Sequence, residues 1–297
     1  MTSITGPRAD RSGTAAGIAC GVGAAVFWAA GLVAARHGIA VGLSPTDMAL
    51  HRFLWSGLAL LPGMLINREF AQIGLMRACL ITLFGGPLMA LLSYAGFLLV
   101  PLGHGGVIQP SCAALIGLLL ATLVLKEKLP LRRLGGALII VLGLMVIGGE
   151  ALTTIGAHGL LGDFSFVVAG ASFATFGMLL RLWRITPMRA VAIVGVLSLP
   201  LLPLYGVLIG FDRLVAAGWW ENLLQALVQG VFAGPASTYL YTRSVVLLGA
   251  GRAAVFPSLT PGFTLLIGFL FLGEIPSLLQ LAGFVIVVIG FRLTQRG

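Results

Sequence analysis

Apolar runs of about 20 residues follow one another along most of the chain, parted by short polar links; each run is long enough to cross a ~30 Å hydrocarbon core at ~1.5 Å per residue. The pattern predicts ten spans, at roughly 15–35, 46–66, 77–99, 104–125, 131–149, 160–182, 188–210, 221–246, 251–272 and 276–293. Apolar and polar positions do not alternate, so helices rather than the strands of a barrel satisfy the backbone. Residues 1–14 read as a disordered polar lead, and the run after them is long enough to stay as an uncleaved first helix.

The pattern then says the same thing twice. At one constant offset Pro110, Ser111, Glu127, Gly136 and Gly143 recur as Pro257, Ser258, Glu274, Gly283 and Gly290, and Tyr94 recurs as Tyr241. The opening span repeats as well: Gly17–Arg36 aligns with Gly162–Arg181, pairing Trp28 with Phe173. The chain therefore divides into two five-span units, 1–149 and 150–297.

Charge orients them. The link before span 5 holds Lys126, Glu127, Lys128, Arg132 and Arg133; its counterpart before span 10 keeps Glu274 and has no Lys or Arg. Basic links stay cytoplasmic, so the two copies sit in opposite orientations. Threading all ten spans puts Arg8, Arg11, Arg68, Arg77, Arg181, Arg184, Arg189, Arg243, Arg252, Arg292 and Arg296 on the inner side with the basic link. Only Arg36 and Arg213 fall outside, with Arg52 inside span 2. The expected fold is an all-α integral membrane protein of ten transmembrane helices, two five-helix inverted repeats with both termini cytoplasmic. Inverted repeats are the build of secondary transporters, whose site lies between the halves near the midplane.

Composition narrows the classes. Hydrophobic residues make up 59% of the 297 and charged residues 9%, against about 25% charged in soluble domains, so no water-facing surface is being covered. The net charge of +9 sits at helix ends, where it orients spans and meets anionic lipid; no basic cluster is long enough to track nucleic acid. Cys20, Cys79 and Cys112 lack metal-ligand or disulfide spacing, and no metal or other cofactor is expected. There is no GxxxxGK[ST] loop for ATP, no HExxH and no serine nucleophile elbow, which argues against an ATP-driven pump and against an enzyme.

Helix breakers locate the cavity. Span 3 carries Gly85-Gly86-Pro87, span 8 Gly234-Pro235, span 4 Gln109-Pro110, and span 9 Pro257 and Pro261. Proline removes a backbone hydrogen bond and clashes one turn back, and broken backbone at membrane depth is tolerated where it lines a cavity or is buried in protein. Pro87, Pro110, Pro235, Pro257 and Pro261 are thus the candidate break and gating positions. Spans 3, 4, 8 and 9 are the candidate cavity wall, with spans 1 and 6 beside them. The paired glycines of spans 5 and 10 read as close helix packing at the periphery of each half.

The chain resembles the EamA-type members of the drug/metabolite transporter superfamily over nearly its whole length. The resemblance rests on Ser44-Pro45 with the Arg52-Phe53-Leu54 run, on the span 4–Glu127–span 5 unit, and on Leu259-Thr260-Pro261 through Gly273-Glu274 and Gly283. Ala114 stands where the first copy would match Pro261. The resemblance implies ten helices, a central cavity and export or exchange of small metabolites, with amino acids and aromatic or cationic compounds among the solutes of bacterial members.

Candidate binding residues follow from side-chain chemistry. Trp28 and Phe173 sit too deep for the interfacial belt and offer a stacking wall as well as plain packing. Trp183, Trp219 and Trp220 lie at span ends as belt anchors. Tyr94 and Tyr239 return to the faces of Pro87 and Pro235. Gln109, Ser111, Ser258 and Thr260 are uncharged hydrogen-bonding groups beside the breaks, although serine and threonine in a span often bond their own helix. Arg52 is an intramembrane cation about 6 residues from the outer end, placed either to snorkel or to hold a carboxylate through its planar fork. His51 is expected to pair with Asp47 one turn away, and Glu127 and Glu274 to be structural. No acid falls in the middle of a span, which points to a facilitator or exchanger rather than a proton-coupled carrier. The expected protein is a non-enzymatic exporter of a small metabolite, foremost amino acids with apolar or aromatic side chains, working by alternating access. It would lie in a bacterial inner membrane as a monomer or homodimer in contact with lipid. An ion or water channel and a carrier of drugs, cations or nucleotide sugars are the alternatives.

Overall fold

Each stretch that reads as a span is helical in the computed structural model, which describes residues 11–66, 73–99, 102–149, 159–273 and 275–295. In the first half these are α1 (Arg11–Ala40), α2 (Pro45–Ile66), span 3 split into α3 (Leu75–Gly85) and α4 (Pro87–Leu99), α5 (Leu102–Leu123) and α6 (Leu131–Gly148). In the second half they are α7 (Gly159–Leu182), span 7 split into α8 (Pro187–Ser198) and α9 (Leu201–Leu208), then α10 (Asp212–Leu227), a π-helical segment (Val228–Ala236) and α11 (Ser237–Leu248). Span 9 is a short α12 (Ala250–Ala253), a 3₁₀ turn (Phe256–Leu259) and α13 (Thr260–Leu272), and α14 (Leu278–Gln295) closes the chain. The protein is all-helical, a ten-helix membrane fold. Among the described residues eight helical stretches are long and apolar enough to cross a bilayer by length and composition. Of the other two spans, span 4 forms the 22-residue helix α5, and span 8 carries Glu221, Gln225 and Gln229, which dilute its apolar run.

Several boundaries differ from the sequence pattern. Ser12, Gly13 and Thr14, assigned to the polar lead, already belong to α1; residues 1–10 and Glu274 lie outside the described residues. Span 3 breaks at Gly86, whose φ of −112° and ψ of −141° are not helical, and Pro87 then opens α4, the first-turn place proline favours. Pro235 lies inside the π segment, Pro257 in the 3₁₀ turn, and Pro261 at the start of α13. Pro110 is the exception, because α5 runs straight through it. Span 7 breaks at Leu199-Pro200, where no glycine announces it.

The packing of α6 on α14 shows how the halves are related. A methyl group added to Gly136 would lie 2.7 Å from the carbonyl oxygen of Gly290, and one added to Gly143 would lie 2.9 Å from that of Gly283. As the numbering climbs α6 it descends α14, so the two helices are antiparallel. They are also repeat counterparts, Gly136 of Gly283 and Gly143 of Gly290, so exchanging the halves maps this contact onto itself. That is a pseudo-two-fold axis across the helices, and it places the links that precede α6 and α14 at opposite ends of the molecule. Other pairings obey the same exchange: α5 packs on α7 as α13 packs on α1, and α4 packs on α7 as α11 packs on α1. The outward aliphatic faces of α6 and α14, with Leu138, Leu142, Leu281 and Val285 exposed, are what a lipid-facing surface requires.

Candidate functional site

Between the halves lies a cavity of about 130 Å³, many times the space one water needs (~10–15 Å³). Span 1 contributes Trp28, Gly31 and Leu32, and α2 contributes Arg52. Met89, Ala90, Ser93 and Tyr94 come from α4, and Gln109, Pro110 and Ala113 from α5. The second half adds Phe173 of α7 and Pro257, Thr260 and Pro261 of span 9. Spans 3, 4 and 9, marked by their helix breakers, and spans 1 and 6 beside them all contribute, whereas α2 joins the wall without a breaker and span 8 stands behind it.

One side of the cavity is aromatic. Trp28 meets Phe173 edge to face at 5.2 Å, and Tyr241 packs beneath both, at 5.6 Å from Trp28 and 4.6 Å from Phe173. Aromatic pairs prefer such tilted geometries, which set the negative ring face against a positive edge. Phe176 backs Tyr241 at 6.2 Å. Below this layer, toward the basic end, Val245, Ala250, Ala253, Val255 and Phe256 are all buried, so the cavity is shut on that side.

The polar groups are few. Arg52 lies on the lining, and among the described residues no hydrogen bond or ion pair engages its guanidinium. The Thr260 hydroxyl is buried and likewise without a partner among them. Ser93 donates to the carbonyl of Met89 one turn back at 2.9 Å. An unneutralised cation within a span is costly, and among the described residues nothing neutralises Arg52 on the cavity lining.

The structure separates the sequence candidates by position. Trp28, Arg52, Tyr94, Gln109, Phe173 and Thr260 converge on the cavity, together with Pro110, Pro257 and Pro261. Ser111, Ser258 and Tyr239 do not. Ser111 is buried with its hydroxyl unpartnered among the described residues, Ser258 spends its hydroxyl on the Val255 carbonyl at 2.6 Å, and Tyr239 is exposed on α11. Two residues separate Tyr239 from Tyr241, and on a helix that is more than half a turn, so only Tyr241 reaches the aromatic layer. Pro87 lines a different, apolar groove with Phe53, Leu91 and Tyr205. Pro235 is behind the wall, where its neighbour Gly234 lies against the Arg52 carbonyl. Gly31, Met89 and Ser93 were legible only by helical spacing from Trp28 and Tyr94.

Around the cavity, polar contacts tie one half to the other. Gln229 donates to the Gly31 carbonyl at 2.6 Å, and Gln225 to the Ala34 carbonyl at 2.7 Å and to Glu221 at 2.8 Å. Glu221 also meets His37 at 3.2 Å. These three acid and amide side chains are spaced four residues apart, on one face of span 8. Asp47 is fully buried, bound by the Tyr205 hydroxyl, by Arg213 at 3.1 Å and by the Ser44 amide at 2.7 Å. His51 therefore does not pair with Asp47; it bonds Asn222 at 3.2 Å and receives the Trp55 indole N–H at 3.1 Å. At the basic end the Glu127 carboxylate accepts the backbone N–H groups of Ala250 and Gly251 at 3.2 and 3.3 Å. This caps the start of span 9 as a structural acid would. Trp219 and Trp220 are exposed beside the break at Gly218 (φ 81°), and Arg77 lies 5.7 Å over the Trp183 ring.

Comparison with known proteins places this architecture. The model of the EamA-like transporter family matches residues 15–149 and again 160–295. An uncharacterized transporter of Archaeoglobus fulgidus is 26% identical over 275 residues, covering 91% of this chain and 95% of that one. A solved crystal structure superposes with a TM-score of 0.69 at 16% identity, covering 95% of this chain and 96% of its own, a likeness of fold. With both halves matched and a closed-ended cavity between them, the chain belongs to the EamA-like transporter family and is a multi-pass membrane transporter, not an enzyme.

Proposed function

We propose that the protein exports a small organic metabolite, foremost amino acids with apolar or aromatic side chains, by alternating access. The observation that carries this reading is Arg52, a guanidinium within span 2 with no partner among the described residues, on the lining of an otherwise uncharged, aromatic-walled cavity. A solute carboxylate supplies the missing acceptor through a charge-assisted, bidentate pair. The Trp28–Phe173 edge then takes the side chain, and Gln109 and Tyr94 lie within the same lining for the amino group. A zwitterion suits one cation; a nucleotide sugar carries more negative charge than one arginine balances. Alternation between two closed-ended states follows from the inverted repeat. Among the described residues no acid lines the cavity, which supports transport driven by the substrate's own gradient.

The test is counterflow in proteoliposomes loaded with unlabelled phenylalanine. Uptake of labelled phenylalanine is expected to be accelerated by the internal pool and inhibited by other apolar amino acids. A rate indifferent to the internal pool identifies a pore. Accumulation only under an imposed pH gradient refutes the gradient-driven reading. Uptake of a nucleotide sugar with no response to amino acids refutes the substrate class.

A further inference from the structure

Apply the pseudo-two-fold exchange to the cavity lining, and the counterparts form a set of their own. Gly31 corresponds to Phe176, Tyr94 to Tyr241, Gln109 to Phe256 and Ala90 to Ser237. All four first-half members line the cavity, and all four counterparts are buried, with at most 2% of any of them exposed. The rings are seated on glycines. Methyl groups added at Gly85 and Gly21 would fall 2.3 Å from Phe176 and 2.5 Å from Phe256, and one at Gly177 2.5 Å from the Tyr241 hydroxyl. The three rings thus form the plug on the basic side of the cavity.

One atom in the plug is out of place as packing. The Tyr241 hydroxyl is wholly buried and makes no hydrogen bond among the described residues, whereas a buried tyrosine hydroxyl ordinarily finds a partner and leaving it bare costs its full desolvation. Phenylalanine would fill the same space without that cost. Its counterpart Tyr94 lines the open cavity.

We infer that Phe176, Tyr241 and Phe256 are the solute-contacting surface of the opposite state, in which the cavity opens to the basic end that the charge pattern places in the cytoplasm. This rests on the alternating-access reading above and deepens it. The two loading surfaces are not equivalent. The surface exposed now offers Arg52, Gln109 and Tyr94; the plug offers two phenylalanines and one hydroxyl, so from the basic side the solute's apolar or aromatic end is what is recognised. Tyr241 supplies the one directional contact there.

Two measurements on the full-length protein test it. The first is sided transport of labelled phenylalanine into right-side-out and inside-out vesicles. Tyr241→Phe, which removes only the hydroxyl, is expected to raise KM about tenfold from the basic side, roughly one hydrogen bond's worth, and to leave KM from the other side unchanged. Tyr94→Phe is expected to do the reverse. Equal effects of Tyr241→Phe on both sides, or none on either, overturn the inference. The second needs no substrate. In a background with Cys20, Cys79 and Cys112 replaced by alanine, Tyr241→Cys is expected to react with a membrane-impermeant maleimide from the basic side only. A thiol that stays unreactive from that side, or reacts from the opposite one, also overturns it. If phenylalanine is not transported at all while this labelling is seen, the substrate assignment fails and the assignment of the plug stands.

Discussion

Replacing Gly290 by alanine tests the symmetry axis directly. The added methyl would lie 2.7 Å from both the Gly136 carbonyl oxygen and the Ile140 amide nitrogen. Ordinary van der Waals contact begins at 3.4 Å, so relief requires about 0.7 Å of separation, the difference between the two distances. Both obstructing atoms are backbone, and no rotamer change can clear them; the two helices must move apart. A gap of ~0.5–1 Å forfeits a quarter to a half of the dispersion well at each contact, and overpacking of this kind costs about 1–3 kcal/mol. The expected loss in melting temperature, read by intrinsic fluorescence on purified protein at a fixed scan rate, is about 2–4 °C per kcal/mol. The double variant Gly136→Ala/Gly290→Ala decides the mechanism. Once one methyl has parted the helices, the second meets less resistance, so the double loss should fall short of the sum of the singles by about 0.5 kcal/mol or more. A Gly290→Ala protein that melts with the wild type, or single losses that add, would refute the close-packed antiparallel pair.

Arg52→Met is expected to raise KM for phenylalanine roughly 10–100-fold, the worth of a hydrogen bond to a charged group, with Arg52→Lys intermediate; sided transport assays check it. Glu127→Ala removes the acceptor of two backbone N–H groups, at a cost of about 1 kcal/mol, and should speed hydrogen exchange at Ala250 and Gly251 ahead of the rest of span 9. Gln229→Leu removes the bond to the Gly31 carbonyl, costs about 1 kcal/mol in a thermal melt, and should weaken transport because Gly31 lies on the cavity lining. Phe173→Ala opens the aromatic wall and should lower the discrimination between phenylalanine and alanine, measured by competition.

The fold was legible because membrane insertion leaves its rules on the surface of the sequence. Span length, the charge of the links and the repeated Pro110/Pro257 and Gly136/Gly283 positions are local signals, readable without knowing any neighbour. The part of the site that lies near helix breakers could be read in the same way, which is why Gln109 and Thr260 reach the cavity. What failed depended on contacts between distant elements. Asp47 has a histidine one turn away, yet its partners come from Tyr205 and Arg213 in the other half. Glu221 stands at the start of span 8, yet it is buried, bound by His37 of the other half and by Gln225. Tyr239 was favoured by its distance from Pro235, a count that assumes a regular α-helix. Pro235 itself stands behind the wall and is absent from the lining, so sharing its face does not lead to the cavity.

The contact between α6 and α14 is its own image when the halves trade places. Most other cross-half contacts described for this structure, the Trp28–Phe173 pair excepted, have a distinct counterpart, and under the alternating-access proposal each is made in one state and remade elsewhere in the next. The glycine seam need not change. On that proposal it is the axle of the molecule: the pair of helices about which the remaining spans rock, in contact backbone to backbone at its glycines, and for that reason indifferent to which way the cavity faces.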